Sequence, residues 1–176
     1  MDNRRNNNRN NNSDYKPEPK EYSETVVSIN RVSKKTKGGN TIRFSALVVI
    51  GNRNGKVGAG VAKARDVRSA IQKSINYAKK HLIEVPLKGT SIPYEVENKF
   101  GAAHVMLKPA PAGSGIIAGG TVRIVLELAG VKDAVGKTLG TNNKTTNVYA
   151  TIEALEKIAA IAKRRVKKVK TVEEEK

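Results

Sequence analysis

Apolar and polar positions first alternate between Thr25 and Val32, at the period of a half-buried strand. The stretch Ser33 to Asn40, with Gly38 and Gly39 set among lysines, breaks the alternation and predicts a loop. A second strand is expected over Ile42 to Gly51. It ends at Asn52-Arg53-Asn54-Gly55, a hairpin signal because Asn and Gly tolerate the positive φ of tight reversals. A third strand follows from Lys56 to Ala64. Asp66 is then placed to cap a helix whose apolar face is Val67, Ala70, Ile71, Ile75, Ala78 and Leu82, with Arg68, Lys73, Lys79 and Lys80 opposite. The pattern predicts three antiparallel strands with one helix packed against a face.

Pro86, Gly89 and Pro93 interrupt the periodicity and mark a domain boundary. Beyond it, Ile92 to Val96 and Ala102 to Lys108 read as strands, and Pro109 to Gly120 as a glycine-rich loop. Val122, Val125, Leu126 and Ala129 share one helical face, and Gly130 stands where a helix would stop. An extended piece around Val131 to Val135 leads into a last helix, in which Val148, Ile152, Leu155, Ala159, Ala162 and Val166 recur behind a Thr145-Thr146-Asn147 cap region. The expected organisation is a disordered Asn-rich arm over 1–21, a first domain over 22–88, a second α/β domain over 89–165 and a charged tail over 166–176. The fold class is α+β, with an antiparallel sheet plus helix followed by the small α/β unit.

Composition changes this picture in two ways. Seven of the first twelve residues are Asn and three are Arg, so the arm has nothing with which to build a core. Arg4, Arg5 and Arg9 could touch phosphate only beside a surface supplied by something else. More informative is the stretch Arg31 to Lys80, which carries thirteen Lys or Arg against the single acid Asp66 and so supplies +12 of the formal +17 charge. Its charges are threaded through strand and helix positions, which predicts a folded cationic surface that needs a polyanion. Each half of a 176-residue chain would bury only a modest core of its own, so stability is expected to lean on a partner.

Several chemistries are excluded or weakened. With no cysteine, thiolate catalysis and cysteine-ligated metal sites are ruled out, and a reducing cytosol suits the chain. The longest apolar runs, Ala46 to Ile50 and Ile158 to Ala162, have five residues against the roughly 20 needed to span a bilayer, and no secretory h-region is present, so no membrane partner is expected. His81 and His104 stand alone, without the neighbours that metal ligation or acid-base work requires, so no metal, cofactor or catalytic residue is assigned. GSGIIAGG, before a helix, offers backbone N–H groups to an anion but lacks the Lys-Ser or Lys-Thr of a Walker motif. It resembles the phosphate loop of small-molecule kinases of the galactokinase and homoserine-kinase group. No paired acids for magnesium and proton transfer accompany it, so a packed turn or protein interface is favoured. With seven aromatics in the chain, and only Phe44 and Tyr77 in the basic stretch, a base-stacking platform is not expected. Contacts should be to phosphate and sugar of folded or double-stranded RNA.

Four long motifs, in order, carry a resemblance over Glu24 to Ile158: NRVSKKTKGG at Asn30 to Gly39, RFSALVVIGNRNGKVGAG at Arg43 to Gly60, KARDVRSAIQK at Lys63 to Lys73, and KPAPAGSGIIAGGTVRIVLELAGVKD at Lys108 to Asp133. The chain resembles the bacterial small-subunit ribosomal protein "S five" family. The resemblance implies a first domain like double-stranded-RNA-binding domains and a second sharing the fold of those kinases. It also implies small-subunit rRNA as ligand, neighbours S four and S eight, mRNA near the entry channel, a part in decoding accuracy, and a ribosome-bound cytoplasmic location. The chain departs from the family's usual residues at Ala59, Val61, Ala62, Arg68 and Lys144.

The expected rRNA-binding set is Lys34, Lys35, Lys37, Gly38, Gly39, Arg43, Arg53, Lys56, Lys63, Arg65, Arg68 and Lys73, and the expected protein interface is Gly113, Gly115, Gly119, Gly120 and Arg123, with Gly115 and Arg123 facing S four by resemblance. The rival readings are a free-standing double-stranded-RNA binder and a small-molecule kinase using the glycine-rich loop.

Overall fold

A computed structural model describes residues 21–174, with side chains in the last helix through Arg164. The Asn-rich arm and the side chains of the charged tail lie outside the described residues. β1 (Ser23–Thr36), β2 (Gly39–Gly51) and β3 (Lys56–Ala64) form an antiparallel meander, followed by α1 (Val67–Lys80) and a two-residue β4 (Ile83–Glu84) on the far side of β3. Asp66 caps α1 as expected, its carboxylate accepting from the Ser69 N–H at 2.9 Å. The expected loop at Ser33 to Asn40 is instead the end of a long hairpin. Pairing continues through Lys34↔Thr41 and Lys35↔Asn40 to Thr36↔Gly39, and only Lys37 and Gly38 form the turn. Lysines mimic a loop in sequence, but an exposed strand end tolerates them as well. Gly39, at φ +126°, supplies the backbone conformation for so tight a reversal.

The second sheet has the order β5 (Val96–Phe100), β6 (Ala103–Pro109), β8 (Ala134–Gly140), β7 (Ile116–Ile117), antiparallel except for the parallel pair β7 and β8. α2 (Gly120–Ala129) is the crossover between those two strands. α3 (Lys144–Glu174) closes the chain. Three sequence expectations shift. The strand expected over Ile92 to Val96 begins only at Val96, because Pro93 removes a ladder donor. The extended piece around Val131 to Val135 is displaced into β8. The α3 cap is Asn143, whose Oδ1 accepts from the Thr145 N–H at 3.1 Å, two residues before the start of the Thr145 to Asn147 expectation.

The first sheet is buried on both faces. Ala46, Val48 and Ile50 pack with Ala70, Ile75 and Ala78 of α1, while Leu47, Val49, Val57 and Ala59 join Val125, Leu126, Leu128, Leu155 and Ile158 of the second unit. The boundary near Pro86 therefore separates two sheets but not two cores. At the junction, the β2–β3 turn abuts the C-terminal end of α2. The Arg53 N–H donates to the Leu128 carbonyl at 3.0 Å and the Gly55 N–H to the Ala129 carbonyl at 2.8 Å, satisfying acceptors that a helix end leaves open. Gly130 ends α2 in the left-handed region, φ +91°, and a Cβ there would lie 2.2 Å from the Arg53 carbonyl oxygen.

Gly130→Ala is expected to destabilise the protein by about 2 to 4 kcal/mol, through strain plus overpacking. Gly38→Ala, with open space around it, should stay within about 0.5 kcal/mol of the parent. Urea unfolding of the two variants checks the difference.

Candidate nucleic-acid interface

Between β2 and β3, pairing starts at Phe44↔Ala64, so Val32–Thr36 and Gly39–Arg43 extend beyond the third strand as a two-stranded ribbon. Five residues of strand give it a reach of about 16 Å. Lys35, Lys37, Gly38 and Gly39 are at its end, all exposed.

At the ribbon's base the register gathers cations on one surface. Val32 faces Arg43 across the strands, Lys34 faces Thr41, and Ser45 faces Lys63, which places Lys34, Arg43 and Lys63 on the sheet face that β2 and β3 elsewhere bury against the second unit. A hollow of about 450 Å³ is lined by Lys34, Arg43 and Lys63 with the hydroxyls of Ser33, Thr36 and Thr41. A second, of about 350 Å³, shares Arg43 and Lys63 and adds Arg65, Asp66, Ser69 and Lys73 at the start of α1. The two hollows adjoin at Arg43 and Lys63 and together carry five cations. None of those five makes an ion pair with an acid among the described residues. The one acid on this surface, Asp66, is held below its ordinary pKa chiefly by the Ser69 N–H, with Lys73 contributing. Its charge is engaged by the helix start, so the surface stays strongly positive. Arg68 is exposed on α1 but lines neither hollow.

Two candidates stand elsewhere. Lys56 is at the opposite end of β3, seven residues or about 23 Å from Lys63, and pairs with Glu84 at 3.3 Å. Arg53 belongs to the α2 junction, where it lines a cavity of about 520 Å³ with Ile116, Arg123, Glu127 and Lys132. The charge count could not separate these from the rest, because position along a hairpin is invisible until its register is known. Conversely, Ser33, Thr36, Thr41 and Ser69 join the surface through strand alternation and the helix cap, signals that a search for cations passes over.

The glycine-rich loop has its own anion. The Gly113 and Gly115 N–H groups both donate to the Asp133 carboxylate, at 3.0 and 2.9 Å. Asp133 is buried. The Thr90 side chain, then the Gly115 amide, hold its carboxyl below the ordinary value, against burial, with Gly113 and Lys132 adding to the effect. The Arg123 guanidinium donates to the Ile116 carbonyl at 2.9 Å and fixes the other side of the loop. Two of the loop's donors, the Gly113 and Gly115 amides, are thus engaged within the chain. Gly113, Gly119 and Gly120 are exposed, as are Arg123 and the 58%-exposed Ile117, while Gly115 is half-buried.

Comparison with known families agrees with this two-part architecture. Residues 22–86 match the family model described as ribosomal protein S5, N-terminal domain, and residues 98–169 match ribosomal protein S5, C-terminal domain. Together the matches span well over half of the chain.

The lowered pKa of Asp133 fixes a pH dependence. Its stabilisation is complete above the unfolded carboxylate value, 3.8, and is lost as pH falls through the lower folded value. Asp133→Ala should lower the thermal midpoint at pH 7, and its deficit relative to the parent should shrink as the pH is taken below 3.8. Thermal unfolding over that range measures both.

Proposed function

The chain belongs to the ribosomal protein S5 family, and from that premise we propose that it is a structural, non-catalytic constituent of the small subunit that binds small-subunit rRNA through the basic surface and the ribbon above it. The observation that carries this reading is the convergence of Lys34, Arg43, Lys63, Arg65 and Lys73 on one surface with no free acid to balance them. Phosphate contacts of this kind position a protein on folded RNA by shape. The ribbon, narrow and glycine-tipped, is suited to approach an RNA groove closely, with Lys35 and Lys37 beside the backbone.

The second unit has the more protein-directed role. Its exposed glycine-rich loop, from Gly113 to Gly120 with Ile117 and Arg123, offers a firmly held surface for neighbouring ribosomal proteins, S four and S eight by family resemblance. A place beside the mRNA entry channel and an influence on decoding accuracy follow from the same resemblance. Kinase chemistry is disfavoured because two of the loop's amides, those of Gly113 and Gly115, already hold Asp133 and no paired acids among the described residues stand by for magnesium. A free-standing RNA binder would leave small subunits during a salt wash, whereas a ribosomal constituent would sediment with them.

For an rRNA fragment, the double variant Lys34→Ala/Lys63→Ala is expected to bind more weakly and to lose about two units of the slope of log affinity against log salt, about one per phosphate contact removed. Arg53→Ala should leave that slope unchanged. Equilibrium titrations at several salt concentrations check both, and an unchanged slope in the double variant would count against direct phosphate contact.

A further inference from the structure

The basic surface does not end at the hollows. Lys73, which lines the second hollow, begins a stripe on α1 that continues four residues later with Tyr77 and then with Lys80 and His81. Tyr77 and His81 are already stacked, with ring centroids 4.3 Å apart and planes within 22° of parallel. The His81 Nδ1 is 3.0 Å from the Tyr77 carbonyl, which ties the imidazole to the helix end. The Cδ1 edge of Tyr77 lies beside Gly60 of β3, where a Cβ would come within 3.2 Å of it, so a side chain at position 60 would crowd that edge. Despite this support, Tyr77 remains 45% exposed. Tyr149 of α3 lies near enough that Tyr77 contributes to its raised phenol pKa, after burial, and Phe100 packs against Tyr149 at 5.8 Å.

Tyr77 thus offers a held, half-exposed ring to a partner of matching chemistry. α1 contains no acidic residue and carries Lys73 and Lys80 on the same face as the ring, so an anionic partner with a flat apolar face is favoured over a protein surface of ordinary composition. We infer that Tyr77, stacked on His81 and continuous through Lys73 with the basic surface, is a stacking site for an unpaired RNA base. The inference rests on the RNA-binding reading and adds to it a contact that is not ionic. Stacking on an aromatic tolerates any base and releases no counterions.

That distinction supplies the test. Affinity of the full chain is measured across a salt series for two RNA stems of equal length, one fully paired and one with a bulged uridine, using the parent, Tyr77→Leu and Tyr77→Phe, with thermal midpoints confirming folding. Tyr77→Leu should weaken binding of the bulged stem by about ten-fold, with an unchanged salt slope and little effect on the paired stem. Tyr77→Phe should bind like the parent. Equal affinities of the parent and Tyr77→Leu for the bulged stem would overturn the stacking site, as would a loss shared equally by both stems. Unchanged RNA affinity together with release of Tyr77→Leu from washed ribosomes would assign the ring to a protein neighbour instead. Failure of the parent to bind either stem would overturn the RNA-binding reading itself, and the stacking site with it.

Discussion

Burial of the first sheet on both faces is the constraint on which the rest of the molecule depends. Ala46, Val48 and Ile50 are covered by α1, and Leu47 and Val49 by α2 and α3, so no residue of this run is more than 3% exposed. A sheet of three long strands with a single helix would leave one apolar face open. The second unit closes it. Neither unit has a complete core alone, which is how a chain with only modest apolar content in each half obtains a continuous interior.

The same packing divides β2 and β3 into two ends with different tasks. At one end, the turn Asn52 to Gly55 meets the C-terminus of α2 through backbone hydrogen bonds and the close approach of Gly130. At the other, the strands outrun the second unit and carry Arg43 and Lys63 into the open. Clamping the first end fixes the direction of the ribbon at the second. Cations borne on such a support are pre-positioned, so in the proposed RNA complex they would incur less ordering cost than a flexible basic loop.

Much of this was legible in sequence, for identifiable reasons. The helix face from Val67 to Ala78, the Asp66 cap and the Gly130 stop are local signals, and they read correctly because each depends on neighbours within a turn or two, whereas Leu82, expected on that face, lies beyond the helix end at His81. The strand alternation also located Lys56 to Ala64. What escaped depended on contacts distant in sequence. The ribbon was hidden because lysines and glycines favour a loop locally, while the pairing of Lys34 with Thr41 extends a register set far away by the core. β4 exists only because the edge of β3 is available to it. Nothing local marks Asp133, whose carboxylate holds a loop eighteen and twenty residues earlier. The same distance hid the packing of Phe100 against Tyr149.

The division between a structural turn and an RNA-facing ribbon is tested most directly by amide hydrogen exchange of the full chain, free and bound to a small-subunit rRNA fragment. Arg53 and Gly55 amides, bonded to α2, should exchange slowly in the free protein and stay unchanged on binding, while amides of Lys37, Gly38 and the ribbon around them should exchange fast when free and slow when bound. Rapid exchange at Arg53 and Gly55 in the free protein, with protection appearing there and not in the ribbon on adding RNA, would contradict the division.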